Sequence, residues 1–200
     1  MCISGDTLFN FKEGIKVKNQ QKYEYFKELI LKDFSGENRQ KYLDELEFCK
    51  SMFHSFHNFA LMPQTGAMNN FKGMGSYTKD GCQSLDRLDR FLYYLDQYYN
   101  DSTRSIDNPI FSEAHGQDSK KHTAEENTVI IKNALKQFLD PIGSVYKYCE
   151  YFYLIKEKDF IDRLIKNGKT AIDSGTGVVA YMGLAKEFWA KRHEIIKELG

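Results

Sequence analysis

Ser84-Leu85-Asp86-Arg87-Leu88-Asp89-Arg90-Phe91-Leu92-Tyr93-Tyr94-Leu95-Asp96-Gln97-Tyr98-Tyr99 decides the fold class of this chain. Leu85, Leu88, Phe91, Leu92, Leu95 and Tyr99 recur at three- and four-residue steps, so a helix gathers them into one apolar stripe. Ser84 stands where its hydroxyl can cap the first turn. Asp86, Arg87, Asp89 and Arg90 lie off the stripe, and Asn100-Asp101-Ser102 ends the pattern.

The same period extends outward in both directions. Tyr23, Phe26, Leu29, Ile30 and Phe34 predict a helix over 20–34. Tyr42, Leu46, Cys49, Phe53 and Phe56 predict another over 38–56, and the break at Ser35-Gly36 makes the two a hairpin. Residues 101–122 are polar and aperiodic, with Pro109, Gly116 and Lys120-Lys121-His122, and read as an exposed or mobile loop. A helix then starts at Thr123 or Ala124, runs through Ile130, Ile131, Ala134, Leu135 and Phe138, and stops near Pro141. Ser144 to Ile155 is apolar around most of a helical wheel and predicts a central helix. Phe160, Ile161, Leu164 and Ile165 make a short helix that Asn167-Gly168 closes. The linker Asp173-Ser174-Gly175-Thr176-Gly177 leads into a last helix carrying Val178, Tyr181, Met182, Ala185, Phe188, Trp189, Arg192 and Ile196.

The expectation is a mainly α, helical bundle-like fold in a single domain over 1–200. Its extended structure is at most a short N-terminal strand or arm at Thr7 to Phe11. A chain of 200 residues suits one buried core better than two.

Composition narrows the function classes. A hydrophobic share of 42% with 15 Phe and 13 Tyr excludes disorder. The 28 basic residues balance 28 acidic ones, so net charge does not support nucleic acid as a partner. No segment approaches 18 consecutive apolar residues and the start lacks a leader pattern, which predicts a cytoplasmic protein without a membrane partner. Cys2, Cys49, Cys82 and Cys149 are scattered and read as reduced thiols, with Cys49 and Cys149 in the core.

Upstream of the deciding helix lies an apolar stretch that breaks the helical period, His57-Asn58-Phe59-Ala60-Leu61-Met62-Pro63-Gln64-Thr65-Gly66-Ala67-Met68-Asn69-Asn70-Phe71-Lys72-Gly73. Its backbone and amide groups need partners if it is buried, so it is either a structural plug or a site. As a site it has candidate binding residues in His57, Asn69, Asn70 and Lys72, joined by Asp86, Arg87 and Arg90 from the following helix. One arginine crossing to Lys72 would build a cationic hollow for a phosphate or carboxylate, with Asn69 and Asn70 reading its orientation. The plainer alternative is an exposed ion-pair ladder through Asp86 and Arg90.

Other motifs carry less. Gly168-Lys169-Thr170 resembles the end of a P-loop, but Arg163 stands where the first glycine belongs. Ser174-Gly175-Thr176-Gly177 opens a helix and can offer N–H groups to an anion, although a glycine linker capping a helix explains it more simply. His54 and His57 are three apart without a third ligand, while His115 and His122 lie in the polar loop. A histidine bonding the last carbonyls of its helix accounts for His57, and neither a metal nor a cofactor is expected. No catalytic set is identified.

The His57 to Pro63 run, the glycine and Asn69 after it, the basic residue before Gly73, and Asp86-Arg87-Leu88-Asp89 heading a helix resemble a family of uncharacterised bacterial proteins. The similarity continues through Tyr148-Cys149-Glu150-Tyr151-Phe152 and Phe188-Trp189-Ala190-Lys191-Arg192. It implies that the 57–73 segment, the Asp-Arg helix and the last helix belong to one unit, and it implies no activity. The sequence thus points to a binding or regulatory module with an anion-binding hollow near residues 57–73. Its partner would be a small anionic ligand or another protein. The alternatives are an enzyme acting on nucleotides or nucleic acid and a scaffold presenting a tyrosine-rich surface.

Overall fold

The computed structural model describes residues 21–52, 55–58, 64–65, 69–70, 88–111 and 124–199. They form a mainly α fold whose helices are α1 (Gln21–Asp33), α2 (Gly36–Ser51), α3 (Leu88–Asn100), α4 (Ala124–Leu139), α5 (Val145–Tyr148), α6 (Lys158–Gly168) and α7 (Gly175–Leu199). Single 3-10 turns stand at Phe56–Asn58 and Pro109–Phe111, and a π-helical turn at Cys149–Tyr153 continues α5. The backbone of β1 (Gln64–Thr65) pairs antiparallel with β2 (Asn69–Asn70), Gln64 opposite Asn70. The expected arm at Thr7 to Phe11 and the Ser84 cap lie outside the described residues.

The helices gather into two compact units. One comprises Met1–Phe59, Tyr77–Gln83 and Thr170–Gly200; the other comprises Ala60–Ser76 and Ser84–Lys169. α3 and α7 therefore fall in different units, and the 57–73 segment is divided between them.

In the first unit α1, α2 and α7 pack on one another. Tyr23, Phe26, Leu29 and Ile30 on α1 are buried, as the three- and four-residue spacing predicts, with Leu46 and Cys49 of α2 and Val178, Tyr181, Met182, Ala185 and Trp189 of α7. The hairpin of α1 and α2 forms as expected. Gly36 reverses the chain with φ +55, a region that favours glycine. Arg39 then reaches back, its Nε donating to the Phe34 carbonyl at 2.7 Å and its Nη2 to that of Leu31 at 3.2 Å. These bonds satisfy carbonyls that the end of α1 leaves without helical partners.

The start of α7 is capped in the same way. The Ser174 hydroxyl accepts from the Gly177 N–H at 3.2 Å, and the Asp33 carboxylate accepts from the Gly175 N–H at 2.6 Å. A carboxylate here also favours the positive end of the helix dipole. The glycine run is thus a helix cap, in which the Gly175 and Gly177 N–H groups already have acceptors.

In the second unit α3 packs along α6, with α5 and the Pro109–Phe111 turn beside α3. Leu88, Phe91, Leu92 and Leu95 form a buried stripe on α3, and Phe160, Ile161, Leu164 and Ile165 are buried on α6. Residues 101–111, expected as exposed loop, instead form turns that bury Ile110 and Phe111 completely. Asn108 explains the difference: its Oδ1 accepts from the Ile110 N–H and its Nδ2 donates to the Tyr94 carbonyl, which folds the chain back onto α3. Phe111 then meets Tyr98 edge to face at 5.5 Å. The rest of that loop, 112–122, lies outside the described residues.

Two further expectations need correction. Ile130 is 50% exposed, because the buried stripe of α4 runs through Ile131, Leu135 and Leu139 instead. Ser144 to Ile155 is not one regular helix. Ser144 caps α5 by accepting from the Lys147 N–H, and the π turn ends at Leu154 with φ +60, leaving Tyr151 exposed while Tyr148, Cys149 and Tyr153 are buried. Cys49 and Cys149 are free, buried thiols, and burial pushes the Cys49 thiol up to about 12. Both therefore act as small apolar core residues without nucleophilic character at neutral pH.

Candidate functional site

The expected site residues separate on inspection. Lys72, Asp86 and Arg87 lie outside the described residues, and Asn69 and Asn70 are described only as backbone in β2. Arg90 is placed firmly, but as a structural group. Its Nη1 donates to the carbonyls of Gly168 at 2.6 Å and Lys169 at 2.8 Å, so it caps the last turn of α6. The rings of Tyr94 and Tyr93 lie 4.9 Å and 5.7 Å from its guanidinium carbon.

Asp89 beside it, expected off the buried stripe, is placed differently, while the ladder from Asp86 to Arg90 falls on a residue outside the described ones. Asp89 is completely buried and its Oδ2 accepts from Asn167 Nδ2 at 2.8 Å. Gly168 makes this contact geometry feasible. A Cβ there would fall 2.0 Å from the Asp89 carbonyl oxygen, so only glycine lets α6 come this close to α3. Gly168 thus serves helix packing as well as ending α6, the stop that the sequence suggested.

A second polar cluster of this unit surrounds Asp140. Its Oδ1 accepts from the Tyr98 hydroxyl at 2.7 Å and from Arg104 Nη1 at 3.1 Å, while Lys136 Nζ stands 3.5 Å from Oδ2. Burial alone would raise the Asp140 carboxyl, but the Tyr98 and Arg104 hydrogen bonds and the Lys136 and Arg104 charges hold it below its ordinary value on balance. Tyr99 donates to the Leu139 carbonyl at 2.9 Å, and Lys136 donates to that of Arg104 at 2.7 Å. Burial, with Asp140 alongside, shifts the Tyr98 hydroxyl upward, so it remains a neutral donor at physiological pH. This cluster clasps the 101–111 wrap to the end of α4.

His57 is the expected site residue that acquires a defined neighbour. It lies on the Phe56–Asn58 turn, beyond the end of α2 at Ser51, and so does not terminate a long helix. Its Nε2 is 2.9 Å from Nδ1 of His193 on α7, with ring centroids 4.9 Å apart. His54 lies outside the described residues. The adjoining Asn58 accepts at Oδ1 from Trp189 Nε1 at 3.0 Å. Trp189 and His193 are four residues apart and so share one face of α7. Lys186 extends that face by another turn and pairs with Glu45 of α2 at 2.8 Å. Phe48, itself 49% exposed, packs edge-on against the Trp189 ring. The indole is buried, His57 is half-buried and His193 is exposed.

No family model, curated protein or solved structure matches this chain. The site therefore rests on geometry alone. Among the described residues no helix is long and apolar enough to cross a membrane. Among the described residues, the open depressions on α2, lined by Glu37, Lys41 and Phe48 among others, and on α4, lined by Glu125, Glu126, Val129 and Ile130, bring no catalytic set together. The His57 and His193 pair was missed because 136 residues separate its members. Its only sequence signal was the position of His193 one turn beyond Trp189 on a strongly periodic helix.

Proposed function

We propose that this protein is a binding module whose ligand is recognised at the His57 and His193 corner of the first unit. The single observation that carries this reading is the 2.9 Å approach of two imidazole nitrogens from separate elements at a solvent-accessible position. Imidazole nitrogens can donate to an anion or present lone pairs to a cation, and here two of them share one hydrogen bond that a ligand would replace. Arg90 favours this assignment by being engaged elsewhere, in capping α6. The enzyme alternative has less support, since the described thiols are buried packing groups and the Asp140 cluster is saturated by its own neighbours.

The test is a thermal-shift screen with inorganic phosphate, nucleotides, oligonucleotides and divalent metals on the wild type, Lys72→Ala and His193→Ala. At least one ligand is expected to raise the Tm of wild type and of Lys72→Ala but not of His193→Ala. A ligand present at about 100 times its Kd stabilises by roughly 2.7 kcal/mol, which such a screen detects. An equal shift in His193→Ala would move the site away from this corner.

A further inference from the structure

We propose that His57 and His193 form the two-histidine anchor of a divalent transition-metal site. This names the ligand class for the binding corner and rests on that reading. Two nitrogens bound to one ion at about 2.0–2.1 Å, at angles between square and tetrahedral, lie roughly 2.9–3.4 Å apart. His57 Nε2 and His193 Nδ1 are separated by 2.9 Å. This contact is a hydrogen bond that places the two nitrogens at chelating distance, and loss of its bridging proton would free both for one ion.

The surroundings hold that bite in place. The Asn58 side chain, next in sequence to His57, is tied to the indole of Trp189, and Trp189 sits one turn before His193. Trp189 is 3% exposed and wedged against Phe48, so it is a rigid reference for both ligands. These contacts fix the segments that carry the two imidazoles, which preorganises the pair. Among the described residues no group of three or more His, Cys, Asp or Glu comes together. Two protein ligands leave further coordination positions for water or an incoming donor, as in open metal sites. Imidazole ligands select zinc, copper and nickel over magnesium and calcium.

The same geometry supplies its own reporter. Trp189 is the only tryptophan of the chain. A copper(II) or nickel(II) ion at the pair would quench its fluorescence, whereas zinc would bind without the same quenching. The experiment titrates the full chain with copper(II), nickel(II) and zinc(II), following tryptophan emission and heat, alongside Tm with inorganic phosphate. Wild type, His57→Ala, His193→Ala and the control His115→Ala/His122→Ala are compared. Melting without metal confirms that each variant is folded.

Copper or nickel is expected to quench wild type and the control saturably, with zinc competing. Either single variant should weaken binding by at least about tenfold, the least that loss of an outer contact at a metal site costs. Unchanged quenching in both variants, or no binding by wild type, overturns the proposal. If phosphate shifts the Tm of wild type but not of His193→Ala while no metal binds, the metal site falls and the binding corner stands. If neither phosphate nor metal acts, both fall.

Discussion

The junction of α3 with α6 and the corner of α7 beside Phe56–Asn58 are both built from polar groups, yet they differ in how those groups are satisfied. At the junction, Asp89 is buried and bonded to Asn167, Gly168 removes the bulk between two backbones, and Arg90 closes two helix carbonyls. At the corner, Trp189 and Asn58 satisfy one another, but the two imidazoles meet where solvent still reaches them. A buried polar group without a partner costs about 1–3 kcal/mol, so saturation is what burial demands and marks a structural role. Groups that face each other in the open carry no such requirement. Charge in a sequence is therefore a poorer guide to function than where the fold puts it.

The largest expected effect that could break this contrast is at Gly168. Gly168→Ala should destabilise the protein by about 3 kcal/mol or more in urea denaturation, since the new methyl meets backbone and no flexible side chain can move aside. The equivalent change at Gly175, where a Cβ would lie 2.8 Å from the Leu29 carbonyl, should cost less. Equal costs would mean that the α3 and α6 junction relaxes and is not the rigid element described.

Arg90→Ala should come next, at about 1.5–3 kcal/mol, the range for hydrogen bonds to a charged group. Arg90→Lys should recover little of it, because an ammonium lacks the fork that reaches both carbonyls. Ligand-induced Tm shifts should be the same in Arg90→Ala as in wild type. Loss of a ligand response with unchanged stability would restore Arg90 to the binding site.

A smaller effect should appear in acid. The folded-state pKa of Asp140 is lowered, so its contribution is present above the unfolded carboxylate pKa of about 3.9 and disappears as pH falls through the lower folded value. Asp140→Asn should therefore flatten the acid limb of a Tm against pH curve below about pH 4 and lower Tm above it. An unchanged acid limb would show that the clasp around the 101–111 wrap contributes nothing through this carboxylate.

The smallest stability change belongs to the corner. His193 is exposed, and His193→Ala should stay within about 0.5 kcal/mol of wild type while abolishing the ligand response. A cost as large as that of Arg90→Ala would make the histidine pair structural and erase the difference between the two regions.

Much of the helical frame was legible because burial stripes are local. Leu88, Phe91, Leu92 and Leu95 on α3, and Phe160, Ile161, Leu164 and Ile165 on α6, announce themselves at a period close to 3.6. The breaks at Ser35-Gly36 and Ser174-Gly175 were equally readable, since turn and cap chemistry acts within a few residues. The path of 101–111 was not, because two apolar residues in a polar stretch, Ile110 and Phe111, show no period and owe their burial to Asn108 and Tyr98.

The sequence by itself determined a mainly α chain, the positions of its principal helices and the core character of Cys49 and Cys149, because propensity, capping and hydrophobic period are written into neighbouring residues. Only the tertiary structure decided that Asp89 is buried, that Gly168 is a packing residue, that Arg90 caps a distant helix and that His57 meets His193. Each of those facts depends on two segments at least 78 residues apart, and the sequence carries no local record of which pairs the fold brings within hydrogen-bond reach.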